Sequence, residues 1–190
     1  NLKSILGTVG FSTATTATQG SRIFYVTTTD LAGNVSPVSV RTFNIDTEVK
    51  SLNLGATVST YNNSNLNLSK AIAPNLAVTT ETDIKKIMLN VGGLVDPSND
   101  KLVLGNLTQT LSGTNNSGSV TVGGVAYNWS YVLSTTHNFS FTKTDNTEFL
   151  TTEISAIETG LSLQTASTNA GLRTFSFSHQ DTIGNTSATS

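Results

Sequence analysis

The side chains in this sequence that could do chemistry are few, and most are oxygens rather than nucleophiles. Asp30 and Asn34 stand four apart around Gly33, and Asp181 and Asn185 stand four apart around Gly184. Carboxylate and carboxamide oxygens at that spacing suit two tasks. They can help to hold a hard cation, or they can fold a tight turn in which Asp bonds its own backbone and Asn takes a left-handed conformation. Asp96 and Asp100 flank a Pro-Ser-Asn turn and present the same two alternatives. His137 falls in a loop and His179 on the core-facing register near a strand end, neither with a second His or a Cys at metal spacing. There is no His-Glu-x-x-His and no Gly-x-Ser-x-Gly, and His179-Gln-Asp181 is adjacency without a nucleophile. These residues predict a chain that is not an enzyme.

The elements that position the Asp and Asn residues are written twice. Residues 20–36 recur as residues 171–187, with Gly20/Gly171, Arg22/Arg173, Phe24/Phe175, Asp30/Asp181, Gly33/Gly184, Asn34/Asn185 and Ser36/Ser187 identical at one ungapped offset. An internal repeat marks a piece of an array of similar units. Each copy reads as a strand followed by a turn. Phe24 and Val26 align with Phe175 and Phe177 and predict the inner face, whereas Tyr25 aligns with Ser176 and predicts the outer one.

With 36% hydrophobic and 12% charged residues, the chain has enough apolar material for a core and too little charge for a disordered polymer. The charge deficit is filled by Thr, Ser and Asn, and β-branched Thr favours strands. A net charge of −2 and ten scattered Lys and Arg give no field for phosphates, so nucleic acid is not an expected partner. No apolar run is long enough to span a bilayer as a helix, and the opening residues are too short for a signal peptide's apolar region. No Cys and a single Met suit an exposed extracellular life stabilised without disulfides, although a cytosolic protein can also lack Cys.

In chain order, Leu2, Ile5 and Leu6 match the helical spacing of Phe149, Leu150, Ile154 and Ile157. For that helix Asp145 is the expected N-cap, Glu148 its capping-box partner and Gly160 the stop. Val38, Val40 and Phe43 predict the strand after the first turn, and the unit boundary falls at residues 44–48. Val49, Leu52, Leu54 and Val58 open the next unit, and a polar turn follows at 61–65. Ile84, Ile87, Leu89 and Val91 predict a strand stopped by Gly92-Gly93, residues 102–104 another, and 112–118 a loop. Val120 and Val122 lead through Gly123-Gly124, a hairpin signal, into alternating Val125, Tyr127, Trp129, Tyr131 and Leu133. Phe139 and Phe141 return after a turn. Short strands between Gly, Asn and Asp turns predict an all-β fold, an antiparallel β-sandwich with one short helix per repeat. The expected domains are 1–46, the C-terminal part of one repeat, and 47–190, a repeat lacking its last strand.

The pattern Phe-x-Val/Phe-x-x-x-Asp-x-x-Gly-Asn-x-Ser, with an Asp-Thr linker after its first copy, resembles the bacterial Ig-like repeats of giant calcium-dependent surface adhesins secreted by RTX-type systems. Ile87-Met-Leu-Asn-Val-Gly-Gly, Asp100-Lys-Leu-Val-Leu and Arg173-Thr-Phe are similar to the larger repeats of those proteins. The resemblance covers nearly the whole chain and implies Ig-like extender domains that carry adhesive domains away from the cell, with Ca²⁺ at the junctions. It makes Asp30, Asn34, Asp46, Asp181 and Asn185 the candidate calcium ligands, with neighbouring repeats or identical subunits as partners.

Two other functions fit the same residues. A fibre subunit could fill an open sheet edge by strand exchange. A glycan-binding module could stack sugars on the aromatic strand around Trp129, although core packing accounts for alternating aromatics more simply.

Overall fold

The computed structural model describes residues 20–45, 66–76, 78, 83–169 and 171–187. The chain divides into two compact units, residues 1–48 and 49–190. The expected helical residues Leu2, Ile5 and Leu6 and the opening of the second unit, residues 49–65, lie outside the described residues.

In the first unit, β1 (Gly20–Val26) and β2 (Ser39–Ile45) form an antiparallel ribbon, registered from Gly20 opposite Ile45 to Val26 opposite Ser39. That register sets Val40 opposite Tyr25 and Phe43 opposite Arg22. Phe24 is 37% exposed here, so the expected inner face is not buried in this unit. Among the described residues of this unit only these two strands pair, and a two-stranded ribbon buries little by itself.

The second unit is a sandwich. Among the described residues its strands are β3 (Ser69–Ala71), β4 (Ile84–Gly92), β5 (Asp100–Leu104), β6 (Leu107–Thr110), β7 (Asn116–Val122), β8 (Val125–Leu133), β9 (His137–Lys143), β10 (Ser162–Thr165) and β11 (Thr174–Asp181), with one helix, α1 (Thr151–Gly160). Four strands pair in the order β3-β10-β5-β6 and five in the order β11-β4-β9-β8-β7, every pair antiparallel. Leu102, Leu104, Leu107 and Leu163 of the first sheet pack with Ile87, Leu89, Tyr127, Trp129, Tyr131, Phe139, Phe141 and Phe177 of the second in one buried core. The helix lies in the connection from β9 to β10 and adds Ile154 and Ile157 to that core.

Local sequence accounts for most of these elements. Gly123 (φ +58°) and Gly124 (φ +83°) take the two left-handed positions of a tight hairpin between β7 and β8. β8 alternates as expected, with Tyr127, Trp129 and Tyr131 buried. In β4, Ile84 and Ile87 are both buried although three residues apart, because the pairing with β11 shifts by one residue between Gln180 and Asp181. Lys85 is the extra residue of that bulge.

The helix start differs from expectation. Leu150 is the N-cap, and its backbone N–H donates to Glu153 Oε2 at 2.7 Å. Asp145 instead folds its own turn, its Oδ1 accepting from Thr147 N at 3.0 Å and Thr147 Oγ1 at 2.8 Å. Glu148 therefore has no capping role, and Gly160 closes the helix from within, with Leu161 as C-cap. A side chain that can cap a helix can equally close a turn one residue pair away, and here the turn wins. β6 and β10, and the start of β7 inside the expected loop, follow from pairing partners rather than from any period of their own.

Gly118 lies directly opposite Trp129. A Cβ at this position would stand 3.1 Å from the indole Nε1 and 3.3 Å from Cε2 and Cζ2. Gly118→Val raises strand propensity, but the indole must yield. The expected net cost is about 1–3 kcal/mol, with a red shift in the fluorescence of the sole Trp. A blue-shifted or unchanged emission with full stability would contradict this packing.

Candidate functional site

The two Asp-x-x-Gly-Asn-x-Ser segments fold into the same turn, bond for bond. In the first unit Asp30 Oδ1 accepts from the backbone N–H of Ala32 and of Asn34, each at 2.9 Å, and Oδ2 accepts from Asn34 Nδ2 at 2.8 Å. In the second, Asp181 Oδ1 accepts from Ile183 N at 3.0 Å and Asn185 N at 2.8 Å, and Oδ2 accepts from Asn185 Nδ2 at 2.8 Å. The backbone closes each turn identically: Asp30 N donates to Asn34 O and Gly33 N to Asp30 O, matched by Asp181 N to Asn185 O and Gly184 N to Asp181 O. The Ser then ties the returning chain to the strand. Thr28 N donates to Ser36 Oγ and Ser36 N to Thr28 O, as His179 N does to Ser187 Oγ and Ser187 N to His179 O.

Each repeated residue thus has a task. Gly33 (φ +87°) and Gly184 (φ +95°) take a backbone conformation costly for any side chain. Asp staples the loop, Asn completes the staple with its amide, and Ser registers the return. In Asp30 the hydrogen bond from the Asn34 side chain, followed by that from its backbone, holds the carboxyl below its usual 3.8. A carboxyl with a depressed folded-state pKa contributes at full strength above about 3.8 and loses that contribution as pH falls below it. Asn34→Ala should therefore bring the Asp30 carboxyl back up toward 3.8, read from its NMR titration. An unmoved titration would mean that the Asn34 amide does not hold it.

A carboxylate offers about four lone-pair sites, and N–H donors occupy three of them in each turn. Calcium demands six to eight oxygens, so the turn as folded does not fit it without oxygens from elsewhere. Asp30 and Asn34 come together in one turn, Asp181 and Asn185 in the other, and Asp46 lies outside the described residues. Among the described residues no three His, Cys, Asp or Glu side chains are grouped to hold a metal.

Two buried side-chain pairs that motif reading did not reveal complete the site around β11. His179 Nε2 meets Glu158 Oε1 of α1 at 2.7 Å, and both side chains are 0% exposed. Arg173, just before β11, donates from Nε to Asp100 Oδ2 at 3.0 Å and from Nη2 to Oδ1 at 3.5 Å, across to the start of β5 in the other sheet. Its Nη1 donates to the backbone carbonyl of Gly171 at 3.0 Å. Signals for both existed. Arg173 belongs to the repeat in a chain poor in charge, and Glu158 falls at helical spacing with Ile154, Ile157 and Leu161 on the buried face.

A His–Glu dyad is chemically a proton-transfer pair, but at zero exposure no solute reaches it in this conformation. The remaining polar groups near the core are fastenings as well. Lys143 Nζ meets Glu153 Oε1 at 2.9 Å. Burial, with Glu153's charge adding, pushes the Tyr127 phenol up to about 12. Tyr131 Oη bonds His137 Nδ1 at 2.8 Å, and burial holds the His137 imidazole below its usual 6.5. Asp96 is bonded within its own turn to Ser98 and Asn99. The aromatic face of β8 lies in the core, out of reach of a sugar.

What fold and site define is an antiparallel β-sandwich unit fastened by a carboxylate-stapled turn that the chain repeats. Comparison with protein-family models, curated proteins and solved structures finds no match to this chain.

Proposed function

We propose that this chain is a stretch of an extracellular extender array from a large bacterial surface adhesin, a non-catalytic module that holds adhesive domains away from the cell. The observation that carries this reading is the turn that recurs with the same bonds at the same sequence offset in both units, the mark of a part made to be repeated. The fastenings also suit mechanical work outside the cell. They are the buried Arg173–Asp100 ion pair, the buried His179–Glu158 contact and stapled turns, with no Cys in the chain. A neutral surface of Thr, Ser and Asn favours solubility without attracting charged ligands.

The test is X-ray scattering on chains of two, four and six successive units. A stiff array lengthens almost in proportion to unit number, whereas units on a free tether lengthen roughly as its square root. Square-root growth would overturn the extender reading.

Calcium at the junctions is the second part of the proposal. With the turn carboxylates occupied by N–H donors, it rests on Asp46 and on backbone carbonyls. It predicts higher melting in millimolar Ca²⁺ than in EDTA. Identical melting removes calcium from the account and leaves the mechanical role standing.

A further inference from the structure

In the second unit β11 and α1 meet in the core through two titratable side chains. Nε2 of His179 stands 2.7 Å from Oε1 of Glu158, and both side chains are 0% exposed. At that distance a proton lies between nitrogen and oxygen. Burial sets how many the pair holds in all. A neutral imidazole beside an ionised carboxylate seals a net negative charge in the core, and an imidazolium beside a protonated carboxyl seals a net positive one. One dissociable proton between the two groups leaves the pair neutral, the state that costs least to bury. The position raises the cost of the negative state. Glu158 lies in the last turn of α1, where the helix dipole disfavours an anion and the helix has no basic residue. The surroundings are apolar: Ile87 lies opposite His179 in β4, and Ile154, Ile157 and Leu161 are buried at helical spacing with Glu158. Among the described residues, the other charged groups on the elements packed here have places of their own. Asp181 of β11 holds the stapled turn, Lys143 of β9 bonds Glu153 of α1, Lys85 of β4 bonds the Asn146 carbonyl, and Lys86 stands opposite Gln180.

We propose that His179 and Glu158 form a proton-held clasp between β11 and α1, closed by one proton that the unit takes up above neutral pH and opened in alkali when that proton leaves. The clasp belongs to the unit itself, whatever array carries it. The proton count makes its pH dependence specific. In the unfolded chain Glu ionises near about pH 4.3 and His near about 6.5, so the two groups together bind two protons in acid, one between those values and none above them. The folded pair holds one throughout. Its remaining proton therefore leaves at a higher pH than from unfolded His. The stabilisation is fully present below about pH 6.5 and is lost as pH rises through the folded value. On the acid side it is lost as pH falls below about 4.3, where the unfolded Glu takes up a proton that the folded pair does not. His137, the chain's other histidine, gives the opposite slope. Burial holds its imidazole below its usual 6.5, so it makes stability rise with pH up to that value and adds no slope above it.

The experiment is urea unfolding of the full chain from about pH 5 to about pH 8.5, a range that brackets the unfolded His value. At each pH it is compared with a double variant, Glu158→Leu with His179→Phe, which lacks both titrating groups. The expected difference in stability between the two is level up to about pH 6.5. Above that the wild-type unfolding constant gains on the variant's by up to about tenfold per pH unit. A difference that already slopes below about pH 6.5, in either direction, or one that is level throughout, overturns the clasp. Because that comparison needs the variant to fold, the folded wild type is also read directly. Imidazole nitrogen and carboxyl carbon NMR shifts at about pH 7.5, above the unfolded His value, should show His179 charged or Glu158 protonated. A neutral His179 beside an ionised Glu158 at that pH overturns the proposal.

Discussion

Glu158→Ala should cost the second unit about 3–5 kcal/mol, the cost of leaving His179 Nε2 in the core without its partner together with the void left by the missing side chain. In a unit of this size that is a fall in melting temperature on the order of 10 °C. The reason is the position of the pair. Glu158 lies in the last turn of α1, where the helix dipole disfavours a carboxylate, and no basic residue of the helix stands in that turn. His179 provides the compensating donor from β11, and neither side chain has any solvent to turn to.

The same argument predicts that Glu158→Leu combined with His179→Phe costs less than either single change, because removing both partners leaves nothing polar stranded. Thermal and urea unfolding of the two singles and the double close the cycle. Losses that simply add would show that the pair is not coupled. The site has no equivalent in the first copy, since Thr28 occupies the position that matches His179.

Arg173→Ala should be the second large effect, again about 3–5 kcal/mol, and it should exceed the cost of Asp100→Ala. The asymmetry follows from exposure. Asp100 is 0% exposed and would keep a buried carboxylate without either guanidinium donor, whereas Arg173 is 11% exposed and retains the Gly171 carbonyl. The long arginine stem can also lean its head toward water. Arg173→Lys should recover little, because a single ammonium cannot reproduce both the fork on Asp100 and the bond to the backbone. Unfolding measurements on the three variants decide the order, and an Asp100→Ala variant less stable than Arg173→Ala would reverse the argument. The pair matters to the architecture because it joins two sheets. Arg173 leads into the five-stranded sheet and Asp100 begins β5 of the four-stranded one, so the loss is paid in the packing between layers rather than in one strand.

Several features were legible from residues alone. The repeat located the turn, and part of its chemistry followed from its residue types, Gly for the left-handed position and Asp for the staple, whereas Asn34 and Asn185 are not left-handed as expected but bond the Asp with their amides, and the Ser return is visible only in the fold. The alternation of β8 and its glycine hairpin needed no long-range information, and neither did the buried face of β11, where Phe177 and His179 are both 0% exposed. The helix cap was misread because Asp145 and Glu148 carry a capping pattern that a local turn uses up first.

By itself, then, the sequence determined what is settled within a few residues: the strand periods, the faces they present, and a turn whose bonds close over four positions. Only the tertiary structure decided which distant groups meet. Glu158 and His179 are 21 residues apart in the chain, and Asp100 and Arg173 are 73 apart. Their pairing depends on the order of strands in two sheets and on the helix that joins them, and no local pattern encodes that order. Backbone dihedrals and side-chain alternation are near-neighbour properties. A buried ion pair is a property of the packed whole, which is why the turn could be read in advance and its fastenings could not.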